Sequence, residues 1–127
     1  MIKIIHVESG KNVEYARSLF AEYGQSTGIH PSYPDFGEEL SKLPQPYVLP
    51  QGSLLIALYQ GQAAGCVALR RLGDGVCEMK RLYVKPDLRS LKIGRVLAEA
   101  IIEEGRRLGY RLMRLDTLAS MVSAQNL

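Results

Sequence analysis

The middle of the chain alternates apolar runs with short polar turns. Residues 53–59, 63–72 and 76–84 are rich in apolar and β-branched side chains, and the turns QGQ and GDG separate them. Runs of this length joined by glycine-containing turns are typical of consecutive hairpin strands. The pattern therefore predicts a three-stranded antiparallel meander.

A short apolar run at residues 2–7 predicts a first strand, and two helices are predicted after it. The first helix is predicted to end at Gly24, and its apolar side chains share one face: Val13, Ala16, Leu19, Phe20 and Tyr23. Asp35 is the predicted N-cap of the second, shorter helix. Residues 44–52 contain three prolines and are predicted to be irregular, because proline lacks the backbone N–H that regular structure uses.

After the meander, a helical stripe begins at Ile93 and ends before Gly109, a typical C-terminal cap. A strand is predicted at 111–117, and a strand–helix–strand unit makes its two strands parallel neighbours. Ser120 is predicted to cap a last helix. The predicted order is β-α-α-β-β-β-α-β-α. We therefore expect an α/β (α+β) fold, in which residues 1–127 form a single domain with a mixed, mostly antiparallel sheet flanked by helices.

Charge and composition disfavour several classes of protein. The net charge is +3 and the basic residues are scattered without an aromatic platform, which argues against nucleic-acid binding. Cys66 and Cys77 lack CxxC spacing and are interpreted as buried, reduced thiols. His6 and His30 form no metal-binding pattern, so no metal is expected. There is no apolar run of about 18 residues and no signal-peptide pattern, so we expect a cytoplasmic protein without a membrane partner.

The turn between Val84 and the helix that begins at Ile93 is basic. Arg89, Lys92 and Arg95 surround a helix N-terminus, whose free N–H groups and dipole favour phosphate-type anions. The sequence contains neither GxxxxGK[ST] nor GxGxxG after a strand, which disfavours a P-loop nucleotidase and a dinucleotide dehydrogenase. The pattern fits an extended diphosphate, and a solvated basic loop is the alternative.

The run EMKRLYVKPDLRSLKIGRVLAEAII resembles the central motif of the GNAT superfamily of acyl-CoA N-acyltransferases. The family pattern [QR]-x-x-G-x-[GA] covers six positions of this chain: Arg89, Ser90, Leu91, Lys92, Ile93 and Gly94. The resemblance implies that these residues and Arg95 bind acetyl-CoA as co-substrate. It also implies that the backbone of Leu82, Tyr83 and Val84 grips the pantetheine. Lys92 replaces the first glycine of the motif, where it would either add charge for the phosphates or crowd the turn if φ is positive.

The resemblance further implies direct acetyl transfer to the primary amine of a small molecule or peptide in a ternary complex, with Glu78 as the general base. Alternatively, Glu78 faces solvent or pairs with Arg70 or Lys80 across the meander. The resemblance implies that the segment after the first helix lines the acceptor pocket, so Tyr33, Phe36 and Tyr47 would either contact the acceptor or pack on the surface. Asp116 would either lie beside the acceptor or bond within its own loop. Arg70 and Arg71 would either meet an acidic acceptor or form sheet pairs.

The end of the chain departs from the family pattern N-x-x-A-x-x-L-Y. Ala124 and Leu127 fit it, but Met121 replaces the asparagine, and the family's general-acid tyrosine would be residue 128. We expect a bacterial protein truncated after Leu127, with the last two strands of the fold missing and possible homodimerisation through the exposed sheet edge. Two alternatives are a non-catalytic CoA-binding module with a degenerate site and an interaction domain that has lost the ligand.

Overall fold

The protein is described by a computed structural model that covers residues 1–28, 34–115 and 124–126, with backbone alone for residues 34, 35 and 124–126. The strands are β1 (Ile2–His6), β2 (Ser53–Tyr59), β3 (Gln62–Gly73), β4 (Val76–Val84), β5 (Leu112–Leu115) and β6 (Ala124–Asn126). The helices are α1 (Lys11–Thr27), α2 (Pro34–Lys42) and α3 (Ile93–Arg107), and a 3₁₀ helix spans Pro86–Leu91.

The strands form one sheet in which spatial order follows chain order, from β1 to β6. All neighbouring pairs are antiparallel except β4 and β5, which α3 connects and which are parallel. The short turns between β2, β3 and β4 leave each strand next to its predecessor, while a helix is long enough to return the chain for a parallel strand. The predicted meander and the predicted parallel crossover are both confirmed.

The sheet separates two hydrophobic cores. On one face, α1 and α2 cover side chains of the central strands, including Leu54, Ile56, Cys66 and Ala68. On the other face, α3 packs through its apolar stripe against residues that alternate with these: Leu55, Ala57, Val67, Leu69, Cys77 and Met79. Strands buried on both faces have nearly continuous apolar sequences, which is the pattern seen in residues 53–59.

Helix α1 extends beyond its predicted end. Gly24 lies buried inside the helix, and Gly28, with φ of 84°, is the left-handed C-terminal cap. The hydroxyls of Ser26 and Thr27 each donate a hydrogen bond to the Tyr23 carbonyl oxygen, at 2.9 and 2.8 Å. The prediction that Gly24 ends the helix was wrong, because only a residue that must adopt positive φ requires glycine at a helix end.

The last predicted helix is also corrected in part. Residues 124–126 form strand β6, antiparallel to β5, where the sequence analysis expected helix. An edge strand leaves a row of backbone N–H and C=O groups without partners, and a paired β6 satisfies those of β5. Ser120, the predicted cap of that helix, lies outside the described residues.

Candidate active site

A cleft opens where β4 ends and α3 begins. Its volume is about 400 Å³, and we call it the basic cleft. Seven of its lining residues are predicted cofactor-binding residues, and three come from the end of α1. The lining consists of Tyr23, Ser26, Thr27, Leu82, Tyr83, Val84, Arg89, Lys92, Gly94 and Arg95. The fold therefore brings most of the predicted nucleotide-binding residues into one depression.

A β-bulge in β4 shapes the floor of the basic cleft. Cys66 pairs with Tyr83 and Ala68 with Lys80, so two residues of β4 oppose a single residue of β3. Arg81, the first of these two, has φ of 61°. A bulge inserts one residue into the alternation and bends the strand. It leaves Leu82 39% exposed at the cleft.

The bulge breaks the regular alternation of faces along β4. Tyr83 packs in the core beneath α1, and Val84 packs in the core beneath α3 together with Met79. Simple alternation from Glu78 would place Val84 on the face of Glu78 and Tyr83 on the opposite one. The inserted residue reverses both assignments. Strand β4 contains no glycine, the residue that often indicates a bulge in a strand pattern.

A buried ion pair holds the bulge. The Arg81 guanidinium donates two hydrogen bonds to the Glu39 carboxylate of α2, at 2.8 and 2.9 Å, and the Tyr47 hydroxyl donates a third at 3.0 Å. The same guanidinium lies 5.4 Å from the ring centroid of Tyr23 and 5.3 Å from that of Phe36. Burial by itself would raise the pKa of Glu39, but the hydrogen bonds and charge of Arg81 outweigh it and lower that pKa. Both partners are therefore charged and matched.

The turn into α3 presents the predicted cations. Lys92 has φ of 64° and ψ of 22°, a left-handed conformation that joins the 3₁₀ helix to α3. Arg89 donates from Nε to the Val84 carbonyl oxygen at 2.9 Å, and its guanidinium lies 5.7 Å from the centroid of the Tyr83 ring. Arg95 is exposed and pairs with Glu99 one turn further along α3. The turn therefore places three cations around the α3 N-terminus, as predicted.

Tyr83 connects the basic cleft to α1. Its hydroxyl donates to Glu22 at 3.1 Å, and Lys85 donates to the other oxygen of the same carboxylate at 2.7 Å. Burial and the Glu22 carboxylate raise the pKa of the Tyr83 phenol. Tyr83 is therefore neutral at ordinary pH, and its ring is fixed between Glu22 and Arg89.

The predicted general base, Glu78, forms an ion pair with Arg70 across β3 and β4. Arg70 Nε lies 2.9 Å from Glu78 Oε1, and the Glu78 side chain is 15% exposed. The sequence analysis gave this sheet pair as the alternative to catalysis, and the pair is present. Pairing through Oε1 does not exclude the base role, because a carboxylate has a second oxygen that can accept a proton.

A second cleft of about 350 Å³ lies between α2 and the same face of β3 and β4; we call it the α2 cleft. Its lining carries cations and carboxylates together: Glu38, Glu39, Lys42, Gln45, Pro46, Tyr47, Arg70 and Lys80. The segment after α1 was expected to line the acceptor site, and of the predicted residues Tyr47 lines this cleft. The α2 cleft is therefore the candidate acceptor site.

The remaining predicted site residues are buried in the core, exposed on the 3₁₀ helix or outside the described residues. Phe36 is 3% exposed beneath Arg81 and lines neither cleft. Ser90 and Leu91 are exposed in the 3₁₀ helix, whereas Ile93 is fully buried in the core beneath α3. A contact between Ile93 and a ligand would have to be made by its backbone. Tyr33 and Asp116 lie outside the described residues, so their roles stay predictions.

Sequence analysis missed the contribution of α1 to the basic cleft. Tyr23, Ser26 and Thr27 line it because the helix continues one turn beyond Gly24. Their spacing of three and four residues places them on one side of a helix, a signal that was available once the helix was extended. Arg81 was missed because its role depends on a bulge and on a partner in α2.

Both cysteines are free and buried, as expected. Burial raises the pKa of the Cys77 thiol to about 11 and that of the Cys66 thiol still higher. A thiol is a strong nucleophile only as the thiolate, so neither side chain is prepared for covalent catalysis. In the part of the chain that the structure describes, no helix has the length and apolar character needed to span a membrane.

Comparisons with known proteins agree with this architecture. The sequence matches the Acetyltransferase (GNAT) family over residues 13–127. An N-acetyltransferase of Schizosaccharomyces pombe, described as uncharacterized, is 38% identical over 99% of this chain and 78% of its own length. With a fungal relative at this identity, the expected bacterial origin stays a prediction.

Solved structures share the fold. A GNAT-family acetyltransferase from Staphylococcus aureus Mu50 superposes with a TM-score of 0.77 at 20% identity, over 92% of this chain and 73% of that one. The PaiA N-acetyltransferase of Thermoplasma acidophilum, solved in complex with coenzyme A, gives a TM-score of 0.70 at 22% identity, over 91% of this chain and 78% of that one. The chain therefore belongs to the GNAT family of acetyltransferases and is an acyltransferase of that type.

Proposed function

We propose that this acyltransferase moves the acetyl group of acetyl-CoA to the primary amine of a small molecule or peptide, by direct transfer in a ternary complex. The observation that carries the proposal is the basic cleft, which joins the bulged end of β4 to the N-terminus of α3. A structurally similar protein, PaiA, was solved with coenzyme A. Acetyl-CoA would supply the activated acyl group. Residues of this chain would bind the co-substrate and accept the proton of the amine.

The basic cleft matches a diphosphate-bearing ligand in charge. Arg89, Lys92 and Arg95 place cations around the opening, and the first turn of α3 adds N–H groups without helical partners. Gly94 keeps that turn free of a side chain where it borders the cleft. The exposed Leu82 offers an apolar surface for the less polar arm of the ligand. Val84 can contribute its carbonyl oxygen to a ligand if Arg89 releases it.

Glu78 is the proposed general base. An amine attacks a thioester only when it is neutral, so a carboxylate must accept its proton directly or through water. Glu78 lies on the same face of the sheet as the α2 cleft and pairs with Arg70, a residue that lines it. The base is therefore next to the candidate acceptor site, while the bulge separates it along β4 from the basic cleft.

The cellular setting remains a proposal as well. We propose a cytoplasmic enzyme that acts without metal, nucleic acid or membrane, in line with the modest net charge of +3 and with two cysteines that are buried and not bonded to each other. Homodimer formation also stays a prediction, to be tested by sedimentation.

The first experiment is thermal unfolding with and without acetyl-CoA. A ligand at 100 times its Kd adds about 2.7 kcal/mol to the free energy of unfolding. For a domain of this size that corresponds to a rise in Tm of about 10 °C. An unchanged Tm at millimolar acetyl-CoA would refute the assignment of the basic cleft.

Release of CoA thiol in the presence of amines then tests catalysis. Glu78→Gln should lower kcat by about 100-fold, the usual contribution of a general base. Asp74→Asn is the matched control, because Asp74 is a fully exposed carboxylate that pairs with Arg71 on the other face of the sheet. Acetyl-CoA binding without thiol release for any amine would instead favour a non-catalytic CoA-binding module.

A further inference from the structure

Two carboxylates and three cations line the α2 cleft. Of its two carboxylates, Glu39 already accepts two hydrogen bonds from Arg81 and one from Tyr47. Glu38 lies 3.5 Å from Lys42 on the exposed side of α2. Each lining carboxylate therefore has a cation of its own, and the lining cation Arg70 pairs with Glu78 across the sheet.

Arg70 is arranged to accept a second partner. Its Nε donates to Glu78, and among the described residues no hydrogen bond from its two Nη groups is found. Its side chain is 42% exposed and lines the cleft. A guanidinium donates hydrogen bonds in a planar fork. This geometry matches the two oxygens of a carboxylate better than the ammonium group of lysine does.

The Arg70–Glu78 pair presents opposite charges 2.9 Å apart at the edge of one cleft. A ligand with a carboxylate and an ammonium group on the same carbon presents the complementary pair at a similar spacing. Its carboxylate would bind Arg70, and its ammonium group would then lie beside Glu78, the proposed base. An amine without a carboxylate would leave the Arg70 fork without that partner.

We propose that the acceptor is an α-amino acid and that Arg70 binds its carboxylate, an inference that rests on the proposed acetyl transfer. Arg70 is thus the residue that determines acceptor specificity. The neighbouring Arg71 provides a control within the same strand. It is also 42% exposed, but it lies on the opposite face of the sheet and pairs with Asp74 of the β3–β4 turn.

The test compares amino acids with their α-amides, which keep the side chain and the amine but lack the carboxylate. Acetylation by the full chain is followed as thiol release, and binding is followed by calorimetry with CoA-saturated protein. In Arg70→Met, KM and Kd for the amino acid should rise about 10- to 100-fold, as expected for loss of a charge-assisted hydrogen bond. Because Arg70→Met also removes the partner of Glu78, the readout is the ratio of these constants between the amino acid and its α-amide, which should change about 10-fold or more in Arg70→Met and stay within about twofold in Arg71→Met.

A second variant guards against misfolding. Arg70→Lys retains a cation next to Glu78 but lacks the planar fork, so it should fold normally and give an intermediate loss for amino acids alone. Equal kcat/KM for amino acids and α-amides in the unmodified protein would overturn the inference. So would a failure of amino acids to bind, whether or not other amines are acetylated.

The two proposals fail in different ways. Amino-acid binding that depends on Arg70 without any thiol release would refute acetyl transfer and support the carboxylate site. Thiol release with many amines, without preference for a carboxylate, would support acetyl transfer and refute the carboxylate site.

Discussion

Replacing Lys92 with glycine should make the protein more stable and its coenzyme binding weaker. Lys92 has φ of 64°, and the left-handed conformation costs a residue with a side chain about 1–2 kcal/mol. Glycine avoids that cost but loses about 0.5–1 kcal/mol through the greater freedom of the unfolded chain. The net gain in the free energy of unfolding is about 0.5–1 kcal/mol, or about 2–4 °C in Tm for a domain of this length.

The same substitution removes a cation from the basic cleft. Lys92 adopts a positive φ, the conformation that glycine adopts without steric cost, so the turn forms with the lysine in place. If its ammonium group contacts a phosphate, Lys92→Gly should weaken CoA binding by about 1 kcal/mol, or about fivefold, and reduce its salt dependence. Calorimetric titration of CoA at low and high salt measures both effects.

Gln60→Gly is the matched control for the backbone effect. Gln60 has φ of 52° in the exposed β2–β3 turn and does not line the basic cleft. It should stabilise the fold to a similar extent and leave CoA binding unchanged. Lys92→Ala provides the complementary control, since it loses the charge and retains the strain. If Lys92→Gly tightens CoA binding, the lysine crowds the ligand and its role as a phosphate-binding cation is refuted.

Three further substitutions or conditions test other parts of the structure. Gly94→Ala should leave the free energy of unfolding unchanged or raise it by up to about 1 kcal/mol. It should weaken CoA binding by about 1–3 kcal/mol, because the methyl group of the alanine would line the cleft. A Tm scan and a CoA titration separate the two effects. Glu39→Gln should lower the free energy of unfolding in urea by about 3–5 kcal/mol, because it leaves the buried charge of Arg81 without its partner. Glu38→Gln, next to it and exposed, should change that free energy by less than about 0.5 kcal/mol, and equal effects would contradict the assigned burial. Glu104 of α3 accepts hydrogen bonds from Arg107 and Ser53. Burial favours a raised pKa for Glu39 and Glu104, but their hydrogen bonds lower both pKa values below 4.5. The stability that the two carboxylates contribute is therefore present above pH 4.5 and is lost as pH falls through the lower folded pKa values. Urea unfolding between pH 7 and pH 3 should show this loss, and Glu39→Gln should show less of it.

Local pattern was sufficient for the meander and for α3. The strands at residues 53–59 and 76–84 were predicted with the boundaries observed, because apolar runs and glycine turns specify them directly. The end of α1 was not predicted, since Gly24 and Gly28 look alike in sequence and only their surroundings show which one adopts positive φ. The cations at the α3 N-terminus were predicted because their position depends on neighbours in sequence.

Features that depend on contacts between distant segments were not predictable. The bulge at Arg81 requires a partner, and that partner is Glu39, 42 residues earlier in the chain. No local pattern connects the two residues, so the sequence of β4 by itself indicates a regular alternation. The α2 cleft was predicted only in part, through Tyr47 and through Arg70 as one alternative, because the contact of α2 with β4 depends on this long-range pair.

The Arg81–Glu39 pair gives a physical reason for the arrangement of the two clefts. A buried ion pair is seldom more stabilising than apolar side chains of similar volume, so stability alone does not account for it. The contacts of the pair do account for its presence. Arg81 packs on Tyr23, which lines the basic cleft, and Glu39 and its partner Tyr47 line the α2 cleft. The pair therefore fixes α1, α2 and the β4 bulge relative to one another, in the region where a co-substrate and an acceptor would have to meet. Because transfer between two bound molecules depends on their relative position, a change in this pair should lower kcat for every acceptor, whereas a change in Arg70 should alter the KM for amino acids.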